Sequence, residues 1–251
     1  MLRHRIIPVL LLHNDGLVKT KQFTSPVYLG DPLNAIHIFN DKEVDELIFL
    51  DIDASRDRKE IDFELIKDIA AECFMPFAYG GGIKSIDEIE KLFYIGVEKV
   101  IINNGLKNES LIKEAVRRFG SQSIVASVDI KNNAVYSYLD KKNLSLNIED
   151  YMLKLESLHV GEIFVNNVSR DGMMQGYDIL LMKHLSSITE VPMIACGGAG
   201  NMNDLKNIIQ QTSISAVAAG SFFVFVGPHN AVLITYPKYE DLEKLLESNN
   251  E

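Results

Sequence analysis

Short apolar runs recur along this chain, and each gives way to a stretch where apolar residues fall three and four apart. The runs are Arg5 to Leu12, Glu46 to Asp51, Phe77 to Tyr79, Lys99 to Ile102, Ile124 to Asp129, Glu162 to Asn166, Met193 to Cys196 and Ala216 to Ala219. Runs this short and continuous predict parallel strands buried on both faces. Helical spacing follows each one: Pro32 to about Asn40, Asp62 to Cys73, and the stretch between Ser85 and Gly96. Further helices are predicted at Glu109 to Phe119 and near Ile148 to Leu158, Asp178 to Ile188, Asn203 to Gln210 and Tyr239 to Glu247. Local signals mark several ends. Asp31-Pro32 reads as an N-cap and first helical residue, Ser85 with Glu88 as a capping box, and Gly96 as a helix stop. Two stretches fit neither period. The polar segment His13 to Asp31 is expected to be a long functional or disordered loop, and Phe222 to Pro237 to cover one rim of the fold.

The runs also repeat. Tyr79-Gly80-Gly81-Gly82-Ile83 returns as Cys196-Gly197-Gly198-Ala199-Gly200, an offset of 116 from Gly81 to Gly197. Ile7 pairs with Val125 at 118, Asp51 with Asn166 at 115 and Asn103 with Gly220 at 117. A repeat this long exceeds the period of solenoids and propellers and predicts a duplicated half-barrel. Eight strands alternating with eight helices, with no compositional break at the midpoint, predict a single α/β fold, a (β/α)8 TIM barrel. Its halves would span about 1–120 and 121–251. A doubly wound sheet is the alternative.

Composition narrows the function. With 251 residues and 47% hydrophobic content the chain can bury a large core, and a net charge of −10 argues against a nucleic-acid partner. Cys73 and Cys196 form neither a disulfide framework nor a metal-ligand spacing, which suits a reducing compartment; no metal or cofactor is expected. No signal peptide or membrane-spanning run is evident, and the cytoplasm is the expected compartment.

Chemistry in such a barrel sits at the strand C-termini. Both glycine runs fall there, and backbone amides freed by glycine can close around phosphate. Asn103 and Asn104 follow the fourth strand, and Gly220 and Ser221 the eighth. Two such sites at symmetric positions predict a small ligand with a phosphate at each end, although glycine also serves tight turns. Among the strand-end carboxylates Asp51, Asp129 and Asp171, Asp129 is the candidate general acid or base, because it ends an apolar run and should point into the mouth. Asp51 and Asp171 are supporting candidates. At the opposite ends Arg5, Glu46, Lys99 and Glu162 each stand just before an apolar run. If they point inward they form a neutral charged ring, costly unless mutually paired, that could gate a small neutral molecule.

These motifs, from Arg5-Ile6-Ile7-Pro8 through GDPLNA, VDELIFLDI, YGGGI, FGSQ, RDG and GYD to CGGAG, resemble the cyclase subunit of imidazole glycerol phosphate synthase. The resemblance implies a barrel that binds a ribonucleotide with a phosphate at each end, and a glutaminase subunit docked at the floor. Ammonia would cross the interior to the mouth, where the substrate is cleaved and closed to an imidazole. It implies gate roles for Arg5, Glu46, Lys99 and Glu162, phosphate contacts at Gly82, Asn103, Gly172, Gly198 and Ser221, and a mobile first loop carrying Lys19. The chain departs from the family in its first strand, where P-C-L-D-V-K-D-G becomes Pro8-Val9-Leu10-Leu11-Leu12-His13-Asn14-Asp15-Gly16. One residue is added and the aspartate falls on Leu11 or Leu12, according to the direction of counting. Asn166 and Met173 replace family hydroxyl residues, and the loop Asn132 to Asn147 lacks the expected glycine.

An intact floor beneath an altered mouth is similar to a paralogous group found with surface-glycan genes, as is the segment GPHNAVLITYP. That group is associated with a glutaminase, a third, amide-forming enzyme, and conversion of an acetamido to an acetamidino sugar. Three functions follow as expectations. The first is an ammonia-channelling synthase subunit serving a sugar-type substrate, and the second an ordinary histidine-pathway cyclase with a substitute such as Asp15. The third is a scaffold without chemistry of its own.

Overall fold

The computed structural model describes residues 4–247 apart from 55, 58, 104–106 and 108. The chain opens with β1 (Arg5–His13), β2 (Gly16–Lys21), β3 (Thr24–Gly30), α1 (Pro32–Asp41), β4 (Leu47–Asp51), α2 (Phe63–Glu72), β5 (Phe77–Gly80), α3 (Ile86–Tyr94), β6 (Lys99–Asn103) and α4 (Glu109–Phe119). It continues with β7 (Ile124–Lys131), β8 (Ala134–Ser137), β9 (Lys142–Asn143), α5 (Ile148–Glu156), β10 (Glu162–Asn167), α6 (Ile179–Leu185), β11 (Met193–Cys196), α7 (Met202–Gln211) and β12 (Ala216–Ala219). A helical turn α8 (Ser221–Val224), a two-strand ribbon of β13 (Phe225–Val226) and β14 (Ala231–Val232), and α9 (Tyr239–Glu247) complete it.

Eight of these strands run parallel and close on themselves in the order β1, β4, β5, β6, β7, β10, β11, β12. Closure through Ile7 opposite Ala218 and Val165 opposite Val128 makes a TIM barrel. Alternation along each strand sorts the apolar residues into two layers. Ile7, Val9, Ile48, Ala78, Ile101, Val125, Phe164 and Ile194 fill the interior, while Ile6, Leu10, Phe49, Val100 and Ile163 face the helices. The helices answer with residues three apart, Ile66 and Ile69 on α2, Ile89 and Leu92 on α3, Leu205 and Ile208 on α7. Their starts follow the predicted caps. Asp31 accepts from the Asn34 amide, and Ser85 and Glu88 form a reciprocal capping box.

Two segments differ from expectation. His13 to Asp31 is an antiparallel hairpin added to β1, with Leu11 opposite Val18 and Leu12 opposite Leu17. Its first turn carries Asn14 and Asp15 at positive φ, the two-residue geometry that Asn and Asp tolerate best. The polar composition concealed the pairing, because β3 is largely exposed and carries no alternating apolar face. The stretch 222–237 does not end as a rim cover. From α8 it descends outside the barrel, where Tyr236 stacks on Phe223 and its hydroxyl donates to the Ile6 carbonyl at 2.9 Å.

Candidate active site

The floor of the barrel is a closed ring of alternating charges. Arg5 forms ion pairs with both Glu46 and Glu162, and Lys99 Nζ reaches Glu46 Oε1 at 2.9 Å and Glu162 Oε2 at 2.8 Å. Each cation therefore bridges the same two carboxylates, of which Glu46 is only 2% exposed. Burial alone would lower the Arg5 pKa, but hydrogen bonds and charge from Glu162 and Glu46 more than offset it and raise it. The ring depends on register. Arg5, Lys99 and Glu162 open β1, β6 and β10, and Glu46 directly precedes β4.

Two residues further along each strand, the interior turns apolar. Ile7, Ile48, Ile101 and Phe164 stand directly above the four charges. Another two residues on, polar groups return on part of the wall. Asn103, Ser127, Asp129, Asn166 and Cys196 line a cavity of about 340 Å³ at the mouth, with Val9, Leu11 and Leu50 completing its apolar side. Asp129 is buried on β7, and its Oδ2 accepts a hydrogen bond from Asn103 Nδ2 at 2.8 Å. Burial pushes its carboxyl up to about 7; the Asn103 hydrogen bond opposes the rise and the charge of Asp171 adds to it. A carboxyl poised there can either hold or accept a proton near neutral pH.

Asp51 and Asp171 also face the cavity, with one oxygen of Asp51 and both of Asp171 engaged by neighbouring groups. Asp51 Oδ1 accepts the amides of Asp53 and Ala54, both at 2.9 Å, and so shapes its own loop. Burial raises its pKa, opposed by those two amides. Asp171 latches the hairpin: Lys19 Nζ reaches its Oδ1 at 2.7 Å and Thr20 Oγ1 donates to its Oδ2 at 3.0 Å. The Gln22 amide donates to its carbonyl, and Phe23 at the hairpin tip meets Tyr138 edge to face at 5.6 Å. Thus β2 and the hairpin tip line the mouth and bind the loop after β10.

Of the expected phosphate groups, Gly82, Asn103 and Gly220 line this cavity, whereas Gly172, Gly198 and Ser221 do not. Asn104 lies outside the described residues. Chain packing supplies its own reason for the glycines. A Cβ on Gly172 would meet the Thr20 carbonyl at 2.3 Å, and one on Gly198 the Gly176 carbonyl at 2.2 Å. Gly198 also sits at φ +117°, so Gly198→Ala is expected to destabilise the fold by about 2–4 kcal/mol in denaturant titration.

This arrangement coincides with sequence relationships. The family model described as "Histidine biosynthesis protein" matches residues 5–227. A Streptococcus mutans protein named imidazole glycerol phosphate synthase subunit HisF is 33% identical over 229 residues, 89% of this chain and 91% of its own length. The chain belongs to the HisF family. A Pseudomonas aeruginosa HisF relative, provisionally named imidazole glycerol phosphate synthase subunit hisF2, is 50% identical over 249 residues, covering 97% of this chain and 99% of its own. A Leptospira interrogans protein, provisionally named subunit HisF of the same synthase, is 44% identical over 252 residues, covering 98% and 99%. Among the described residues no helix is long and apolar enough to cross a membrane.

Within this HisF-family barrel the first-strand ambiguity resolves. Leu11 lines the cavity that contains Asp129, whereas Leu12 is buried in the outer layer against the helices. The position across the mouth from Asp129 is therefore apolar. Asp15 offers no replacement, since it is exposed in the β1–β2 turn and does not line the cavity. Sequence reasoning missed Ser127, Phe23 and Tyr138. Ser127 was accessible, being two residues before Asp129 on the same strand face. Phe23 and Tyr138 come from separate loops and meet only through tertiary contact.

Proposed function

We propose that this HisF-family subunit receives ammonia at its charged floor from a glutaminase partner and passes it through the barrel to the mouth. There it serves a phosphorylated or nucleotide-sugar acceptor, in formation of an acetamidino sugar for a surface glycan with a third, amide-forming enzyme, rather than imidazole closure. One observation carries the reading: a complete ion-paired ring lies under a mouth in which Asp129 faces Leu11. Leucine cannot transfer a proton, and loss of a positioned acid or base costs about 10²–10⁴ in rate. The lower half thus keeps what ammonia entry requires, while the upper half lacks one partner for cyclisation. Opening a single ion pair of the ring would admit a small neutral molecule to the apolar interior.

The reading is tested by mixing the chain with its cognate glutaminase. Glutamine hydrolysis should rise with a sugar-type ligand, while ammonia-dependent formation of the imidazole product stays slow; brisk cyclisation by the purified chain would overturn it. Leu11→Asp supplies the missing carboxylate. It is expected to raise cyclisation at least about tenfold while costing roughly 1–3 kcal/mol of stability, because it exchanges an apolar wall residue for a charge. The histidine-pathway reading is favoured by the names of the relatives, and it predicts that the natural chain rescues a cyclase-deficient strain.

A further inference from the structure

Glu162, Phe164 and Asn166 share the inward face of β10, a carboxylate at the floor, a ring in the middle and an amide at the mouth. Four residues of strand span roughly 13 Å, so this one strand runs the length of the proposed ammonia route. The middle stretch, walled by Ile7, Ile48, Ile101, Val125 and Phe164, offers no side-chain acceptor. Asn166 is 8% exposed, and its Oδ1 is buried with no hydrogen-bond partner. Of the described side-chain atoms left so, it alone belongs to a residue lining the cavity. A buried carbonyl oxygen is costly unless a donor meets it, and Asn166 stands in register beside Asp129 on one side and Cys196 on the other.

We infer that Asn166 is an ammonia-binding residue at the upper end of the barrel, its Oδ1 accepting an N–H of neutral ammonia arriving from below. This rests on the proposed delivery of ammonia and adds the atom that receives it. An amide oxygen suits the task chemically. It accepts without donating, so the nitrogen lone pair stays free for attack, and it is not basic enough to take a proton. A hydroxyl in its place could rotate and donate into the lone pair. A carboxylate would favour ammonium, which is no nucleophile. Asp129, one strand away, lies within reach of a proton released when such a nitrogen forms a bond.

The experiment is a titration of the purified chain with ammonium chloride, followed by the Asn166 side-chain amide and the backbone amides of Ser127 and Asn166 in NMR spectra. It is repeated at several pH values and with sodium chloride in place of the ammonium salt. The sodium chloride series removes shifts due to titration of Asp129, Asp171, Asp51, Lys19 or Cys196, which share the cavity. The expected result is a saturable shift at Asn166 that follows the concentration of free ammonia rather than total ammonium. Asn166→Leu, close in size but without an acceptor, should abolish it. Asn166→Thr should weaken it several-fold. No saturable shift, a shift that follows ammonium, or one that survives in Asn166→Leu would overturn the assignment. Because neither acceptor nor glutaminase is present, failure here leaves ammonia delivery to be judged by the glutaminase assay.

Discussion

Asp129→Asn is expected to lower transfer of glutamine nitrogen by about 10²–10⁴ while making the protein more stable in alkaline solution. The first effect follows from position, since Asp129 is the cavity carboxyl that accepts from the Asn103 amide rather than forming a latch or a loop cap. It is measured by following 15N from the glutamine side chain into product in the complex with the cognate glutaminase. Unchanged transfer would favour a scaffold that holds other enzymes together.

The second effect follows from linkage. The folded protein raises the Asp129 pKa from 3.8 to about 7, so between those values the native state binds more protons than the unfolded chain. Stability from this group is therefore fully present below pH 4 and declines as pH rises toward 7. Asparagine removes that decline. The variant should melt several degrees above the natural protein near pH 8 and almost level with it near pH 4. Equal melting curves at both pH values would show that the carboxyl is not held protonated by burial. Loss of function with gain of stability is the signature of a group kept for chemistry at a cost to the fold.

The second large effect concerns the floor. Lys99→Met removes one of the two cations that hold Glu46 and Glu162, leaving both carboxylates to Arg5. Removing one member of a buried pair typically costs about 3–5 kcal/mol. Lys99 keeps a fifth of its side chain exposed, so roughly 2–4 kcal/mol is expected in denaturant titration. The double variant Lys99→Met with Glu46→Gln restores the balance of charge and should recover more than half of that loss, because the two residues are directly coupled. In the glutaminase complex the single variant should release more ammonia to bulk solution per glutamine consumed. Stability unchanged in the single variant would mean that the four side chains are solvated at strand starts rather than closed into a ring.

Much of this architecture was open to reading from residue order. Strand and helix positions followed from the switch between continuous apolar runs and helical spacing, which depends only on which faces of each element must be buried. The caps at Asp31 and Ser85 were equally local, since each bonds an amide three residues on. The ring was legible for the same reason. Inward alternation from Ile7, Ile48, Ile101 and Phe164 carries back two residues to Arg5, Glu46, Lys99 and Glu162. What could not be read was the hairpin over the mouth. Its second strand is largely exposed with no alternating buried face, and the hairpin is held by Asp171, about 150 residues away in the chain.

The sequence by itself determined the barrel, its repeat, the charges at the bottom and a first-strand run, Val9 to Leu12, without an acidic residue. Only the tertiary structure decided that Leu11 rather than Leu12 faces Asp129. A continuous apolar run leaves strand alternation undecided, and only pairing with β4 and β2 settles which side chain turns inward. Tertiary contact likewise decided what the glycines do. Gly172 and Gly198 carry other backbone at 2.2–2.3 Å from where a Cβ would stand, a constraint set by segments distant from or looping back on them and absent from any local motif.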